Sequence, residues 1–478
     1  MDGLKDVGVS KSRITVGFKG IVTDTDESVL DMAYTKRAYN FAFEDGVLTG
    51  GIGIDVAEGF YPEPYVERHE YPALPDGKRF KDAFLYRRKS ENGEYDDRIV
   101  AHLTDYTLMY TSVFKNDTWH EIPDFRINND ITAVNYTFNG EDVLLLCAKN
   151  NELFMLEDST PYVCGNAPQF TSIAVHNERV FGSVNGSQNQ VWFSEDFDPR
   201  NWTVSAEEGG FINFADECGD VIKLVSFLNY LYIFREFGIF RLTAFGDQSE
   251  FMLKKVFTDT GRIVKNSIEL CGDKIIFYAD DGLFSFDGYE VTRIAKQLMD
   301  INRTHLMSCA YLDDYYYMAC NILGDGTKNN AVIRYGLRDK SLSVLCGVGV
   351  KRLRTVRVHN GTQVLCVFES ENTNTLGMVS KSGEVLGTPT KKSYFSPFSA
   401  LSSPSIKTVR SVSFQTDTDV KLVVRLDKKS YEFNVKGGEL MKTVPIEKSG
   451  RKIGFEIYCD SSAAHITPLT VQLDTLKI

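Results

Sequence analysis

The chain has 478 residues, 43% apolar and 25% charged, a balance ordinary for globular protein and sufficient for two or three domains. A formal charge of −12 argues against a general grip on nucleic acid or on an anionic membrane, both of which need clustered cations. With 37 glycines, 13 prolines, 23 tyrosines and 32 phenylalanines, and almost no long amphipathic helical window, an all-β fold of aromatic strands and glycine turns is expected.

Residues 1–81 read as a strand-bearing extension leading into the main body. The opening MDGLKDVGVSK has no apolar h-region, and no apolar run reaches the length of a membrane-spanning helix, so neither a secretion signal nor membrane anchoring is expected. Ile14 to Phe18 and Ala42 to Leu48 fit strands, Glu27 to Tyr39 is the best helix candidate, and Asp45-Gly46 closes a hairpin. The following GGIGI lacks the spacing and the helix of a dinucleotide-binding loop and is read as a glycine turn. Pro62, Pro64, Pro72 and Pro75 mark an extended connector.

Between 82 and 393 a unit of apolar runs joined by two hinges recurs, most clearly from Ile173 to Trp202. First hinges fall at Asn139-Gly140, Asn177-Glu178, Asn229-Tyr230, Gly272-Asp273, Asp313-Asp314 and Asn360-Gly361. Second hinges follow at Asn150, Asn189, Gly238, Asp281-Gly282, Asn329-Asn330 and Asn374, and a weaker unit upstream turns at Thr104-Asp105 and Asn116-Asp117. From Asn139 to Asn360 is 221 residues in five steps, about 44 each, the period of propeller blades. Strands such as KIIFYA at 274–279 and YYYMAC at 315–320 are apolar on both faces and need cover on both, which radially stacked blades supply. The spacing predicts a β-propeller of about seven four-stranded blades, against the alternative of a sandwich or barrel with similar turns.

Residues 394–478 change register. Ser393 to Ser405 reads as a Ser/Pro-rich linker; after it VRSVSFQ (409–415), VKLVVRL (420–426), SYEFNV (430–435), RKIGFEIYC (451–459) and LTVQLDTL (469–476) predict a small β-sandwich of about 75 residues. Gly437-Gly438 and Lys448 to Gly450 supply its turns.

Signs of chemistry are sparse. The seven histidines show no HxH or HExxH spacing, Asp24, Asp26 and Glu27 lack the rest of a calcium loop, and no metal or cofactor is expected. The nine cysteines form no CxxC pair and sit mostly in apolar runs, as reduced buried thiols of a protein made in a cytosol would. Glu195, Asp196, Asp198, Asp313 and Asp314 could supply a glycosidase pair, but Asp313-Asp314 is already explained as a hairpin tip. KRLRTVR at 351–357 is the densest basic stretch, and its alternation fits the wet face of a strand. The insertion Phe197 to Phe214 is the longest departure from the repeat. There Trp202 is expected to fix the loop while its tip, Ala206, Glu207, Glu208, Gly209 and Gly210, meets a neighbouring subunit.

Two segments together resemble the propeller-bearing neck and tail-nozzle proteins of tailed bacteriophages. The first matches at Asn40, Phe41, Asp45 and Gly46. The second matches at His176, Asn177, Arg179, Val180, Trp192, Phe193, Ser194, Asp198, Pro199, Asn201 and Trp202, with Val180 a departure from the family's aromatic position. The resemblance implies a non-enzymatic virion component made in the host cytoplasm. It further implies a homo-oligomeric ring in the particle, other virion proteins as partners, and at most passing, non-specific contact with DNA. The competing expectation is a tail-associated protein that binds or cleaves carbohydrate during host attachment.

Overall fold

The computed structural model describes residues 9–60, 68–90, 92–205, 208–258, 261–280, 282–296, 298, 301–302, 304–322, 324, 326–369 and 373–476. Among them are strands and three short 3-10 turns, with no α-helix. Seven sheets, antiparallel apart from one parallel pairing of Val385 with Ile54, follow one another along the chain and close into a propeller. Their innermost strands are Phe80–Tyr86, Ile131–Phe138, Phe170–His176, Val221–Phe227, Glu269–Cys271, Ser308–Leu312 and Val350–Val358. The doubly apolar strands lie second in their blades. In Lys274–Ala279 and Tyr315–Ile322 every residue after the first is buried, because a neighbouring blade covers each face.

Tight first turns carry the left-handed backbone that Asn and Gly adopt cheaply. Asn139 and Gly140 have φ of 52° and 85°, and Asp313 and Asp314 have 49° and 64°. Some turns differ from expectation by a residue: Leu228-Asn229 takes positive φ instead of Asn229-Tyr230, and His359 and Asn360 separate the strands where Asn360-Gly361 was expected. The second turn of the third blade lies at Asn185-Gly186, the stronger turn dipeptide, and Asn189 is inside the strand Ser187–Phe193. In the first blade Thr104-Asp105 forms the second turn, since a longer loop joins its first two strands. Asp281, Pro62 and Pro64 lie outside the described residues.

The ring is closed by the chain's beginning. Gly53–Val56 pairs antiparallel with Gly377–Ser380 and so becomes the fourth strand of the seventh blade. First and seventh blades then share one core, with Phe80, Ala83 and Ile99 packed among Val356, Leu365 and Val367.

The remaining strands form a two-sheet sandwich drawn from both ends of the chain. One sheet runs Val9–Val16, Leu469–Leu476, Lys407–Thr416, His465–Ile466, Val47–Thr49, Ala42–Glu44, with Gly438–Gly450 also on Lys407–Thr416. The other runs Arg37–Tyr39, Lys392–Phe395, Ile453–Cys459, Val420–Leu426, Lys429–Val435. Between them Val412, Phe414, Leu422, Val424, Phe455, Ile457 and Val471 are wholly buried. The sandwich docks on the sixth blade through Asn40, whose backbone N–H donates to the Val344 carbonyl (2.7 Å) and whose Oδ1 accepts from the Cys346 N–H (2.6 Å).

Three expectations are corrected here. Glu27 to Tyr39 is not helical: the Asp26 and Asp31 carboxylates take the backbone N–H groups of Ser28 and Ala33 (2.8 Å each), a local alternative to helix, and Arg37–Tyr39 is drawn into the sandwich. Ser393 to Ser405 is not simply a linker, since Lys392–Phe395 is a central strand pairing on both sides. Lys448 to Gly450 continues the strand Gly438–Gly450, with a kink at Glu447 (φ 49°).

Candidate functional site

The charged surface of interest is internal. In four blades the innermost strand carries a β-bulge one residue after its start, at Phe80/Asp82, Phe170/Ser172, Val221/Lys223 and Val350/Arg352. A bulge re-aims the side chain that follows it. Ser172, Lys223 and Arg352 line the central channel, and Asp82 sits in its wall. The stretch KRLRTVR is the innermost strand of the seventh blade: Leu353 and Val356 are buried between blades, while Arg352 and Arg354, two residues apart and thus on one face, line the channel.

The channel holds a cavity of about 480 Å³ whose cations are Arg87, Lys223, Lys265, Arg352, Arg354 and Arg357 and whose carboxylates are Asp130 and Glu269. Arg354 grips Asp82 with two bonds (Nε to Oδ1 2.9 Å, Nη2 to Oδ2 2.5 Å), and Arg352 donates to Asp130 (2.8 Å). Arg352 and Lys81 together hold the Asp130 carboxyl below its ordinary range against the opposing effect of burial. Glu269 accepts from the Thr355 hydroxyl (3.2 Å) across the ring; burial raises its pKa, and the charge of Lys223 opposes that. Lys265 donates to the Thr171 carbonyl (2.9 Å), also across the ring, and Lys223 donates to the Ile268 carbonyl. These bonds join the fifth blade to the seventh, to the third and to the fourth.

The channel opens into a funnel of about 1000 Å³ on the face carrying the first turns. Arg87, Asn135 and Arg357 line both spaces, and the funnel adds Arg88, Lys89, Tyr95, Glu178 and His359. His359 stacks on Tyr95 with ring centroids 3.9 Å apart. On the same face Phe197, Leu228, Phe245 and Tyr289 are 62, 51, 75 and 76% exposed across three consecutive blades. Phe197 lies over the hairpin of Glu178 through its N–H (3.1 Å), and Tyr289 follows Gly288, whose carbonyl accepts from Tyr232 of the neighbouring blade (3.1 Å).

Trp202 packs on its own blade and fixes the insertion, as expected, but the tip is placed differently. Trp202 is 2% exposed, donates Nε1–H to the Pro199 carbonyl (2.8 Å) and packs on Phe170 at 4.7 Å. Gly209 and Gly210 are buried and Gly210 begins the fourth strand Gly210–Asn213, so neither offers a contact surface. Glu208 is half-buried and its carbonyl accepts from Arg179 (3.0 Å). Ala206 and Glu207 lie outside the described residues. Among the described residues of the insertion, Phe197, Arg200, Thr203, Val204, Ser205, Phe211 and Asn213 are exposed.

The other chemistry-bearing residues have structural positions. Asp196 pairs with Arg179 (2.7 Å), Asp198 with Arg200 (3.2 Å), Glu195 accepts from Asn201 (2.8 Å), and Asp313-Asp314 is the left-handed tip of the sixth blade's hairpin. His176 bonds Ser226 (2.9 Å) and Asn177 bonds the Ala244 carbonyl (2.9 Å), tying the third blade to the fourth. Eight cysteines are buried and Cys346 is half-buried; burial, then the charge of Glu269, pushes the Cys309 thiol up to about 12. No group of three or more His, Cys, Asp or Glu among the described residues could hold a metal ion, and no helix among them is long and apolar enough to cross a membrane. Sequence reading singled out the arginine-rich strand but missed Asp82, Asp130, Lys223, Lys265 and Glu269. Lys223 is a single charge in an apolar run, Asp82 sits beside Lys81, and Asp130 and Lys265 lie in polar stretches just before their strands, so nothing local sets them apart.

No known family model and no curated protein matches the chain. Similar solved structures include BBS1N in complex with ARL6DN, soaked with mercury (12% identity, TM-score 0.39, 59% of this chain and 86% of that one). The lead-soaked form of that complex gives 11%, 0.41, 59% and 87%. BamB from Moraxella catarrhalis matches at 9% identity with TM-score 0.37, covering 78% of this chain and 98% of that one.

Proposed function

We propose that the chain is a non-enzymatic structural component of a tailed-phage virion, part of the neck or tail conduit or of a ring attached to it. The observation that carries an assembly role is the arc of exposed Phe197, Leu228, Phe245 and Tyr289 on one propeller face. Exposed large apolar side chains grouped in this way, three of them aromatic, suit burial against another protein. Placement in a virion rests on the resemblance, whose residues have architectural duties: Asn40 fastens the sandwich to the sixth blade, His176 and Asn177 join two blades, Arg179 clamps the insertion and Trp202 fills the space beneath it. Bonds crossing the propeller's own channel leave no room for a duplex. DNA would therefore pass through the lumen of a ring of copies, where a chain of net charge −12 repels it.

The carbohydrate reading needs acids converging on one sugar, whereas Glu195, Asp196 and Asp198 belong to the third blade and Asp313 and Asp314 to the sixth. The test is mass spectrometry and reconstruction of purified phage particles encoding this chain, together with the variant Phe245→Asp/Tyr289→Asp. A ring of the chain between capsid and tail, lost from particles in a variant that still folds, is expected. Particles without the chain would refute the proposal.

A further inference from the structure

We propose that the central channel is a binding site for a compact multivalent oxyanion, a small molecule carrying two or more phosphate or carboxylate groups. The proposal does not depend on the virion reading. A chain of net charge −12 has gathered six cations around a cavity of about 480 Å³ that two carboxylates share. Counting Asp82 behind the wall, cations still outnumber carboxylates there by two to one.

The pairing within the channel is uneven. Arg352 and Arg354 are held by Asp130 and Asp82. Lys223 and Lys265 have no ion-pair partner among the described residues, and each donates a hydrogen bond only to a backbone carbonyl, Ile268 or Thr171. An ammonium has three donors, so both retain capacity. Burial holds the Lys265 pKa below its ordinary value; the charge of Lys223 adds to this, and those of Cys147 and Asp130 oppose it. Like charges gathered in a buried channel wall are destabilising, Asp130 offsets this at Lys265 only in part, and an anion bound beside them would reduce the cost. Thr132, Ser172 and Asn266 add neutral groups to the same lining.

Size and access select the ligand. The cavity is within the range that takes small molecules, and the bonds from Glu269 to Thr355 and from Lys265 to Thr171 bar a polypeptide or nucleic-acid strand from threading it. Arg87 and Arg357, exposed where the funnel meets the channel, extend the positive field outward and would draw an anion in.

Calorimetric titration of the full chain with inorganic pyrophosphate, and separately with citrate, at low salt tests the site. At least one is expected to bind with Kd of roughly 10–1,000 μM, the better of the two identifying phosphate or carboxylate chemistry. Lys223→Gln/Lys265→Gln should weaken that binding at least about tenfold, while Lys429→Gln in the sandwich leaves it unchanged. Absence of binding by both probes at about 10 mM, or equal binding by the folded double variant, overturns the proposal. Should the double variant not fold, bromide-soaked crystals of the unaltered chain decide. An anomalous peak between the Lys223 and Lys265 Nζ atoms supports the site, and peaks only elsewhere overturn it.

Discussion

Arg179 is 5% exposed and joins five partners: it donates to the carbonyls of Ser194 (2.8 Å) and Glu208 (3.0 Å), pairs with Asp196, and lies over the rings of Phe193 and Phe251. Removing it strands two carbonyls at the root of the insertion, so Arg179→Ala should cost about 2–4 kcal/mol in urea denaturation. Asp196→Asn, whose side chain is 47% exposed, should cost under about 1 kcal/mol. Equal losses would show that the clamp carries no weight. Histidines give the molecule a pH dependence. Burial lowers the His102 pKa from 6.5 to about 4; the charge of Lys81 adds to this, and the bond to Ile127 and the charges of Asp82 and Asp130 oppose it. Burial alone does the same for His176. Both stay neutral in the folded chain while the unfolded chain takes up protons, so their contribution is full above pH 6.5 and is lost as pH falls from 6.5 to about 4. His102→Gln/His176→Asn should flatten the stability profile in that window by about 2–3 kcal/mol per site, measured by denaturation at successive pH values. An unchanged slope would contradict this.

The strand Gly53–Val56 shows what local pattern conceals. Its sequence GIDV sits behind a glycine turn and carries no sign of a partner more than three hundred residues away, so the reading of residues 1–81 as an extension missed its role as the last strand of the ring. The blades themselves were legible because each hairpin is local: Asn139-Gly140 and Asp313-Asp314 state their turns in two residues, and the apolar runs beside them state burial on both faces. The bulges that turn Lys223 and Arg352 toward the channel were not legible, since they depend on how a strand meets its neighbour. Ile54 is wholly buried against Val364, Cys366 and Val379. Ile54→Ala should cost about 2–4 kcal/mol and raise hydrogen exchange in Gly377–Ser380 before other blades respond. Uniform exchange across the ring would count against a closing role.

Strands from both ends interleave in the sandwich, where Val9–Val16 pairs along its length with Leu469–Leu476, and the same N-terminal segment closes the propeller. A shared core then runs from the sandwich into the fifth and sixth blades, joining Phe414 and Ile457 to Ile276, Met318 and Val344. Neither body is complete without the other's flanking chain. Scanning calorimetry should therefore show one endotherm, and a separate early transition confined to the sandwich would refute that coupling.

The closing strand also sets the order of events at the ribosome. Asp55 meets the hydroxyl of Ser382, 327 residues further along the chain (2.7 Å). At roughly 5–20 residues per second, the emerging N-terminal segment waits about 15–60 seconds for its partner. Throughout that interval six blades can stack while Ile52 and Ile54 stand exposed to the cell, a target for chaperones and for premature strand pairing.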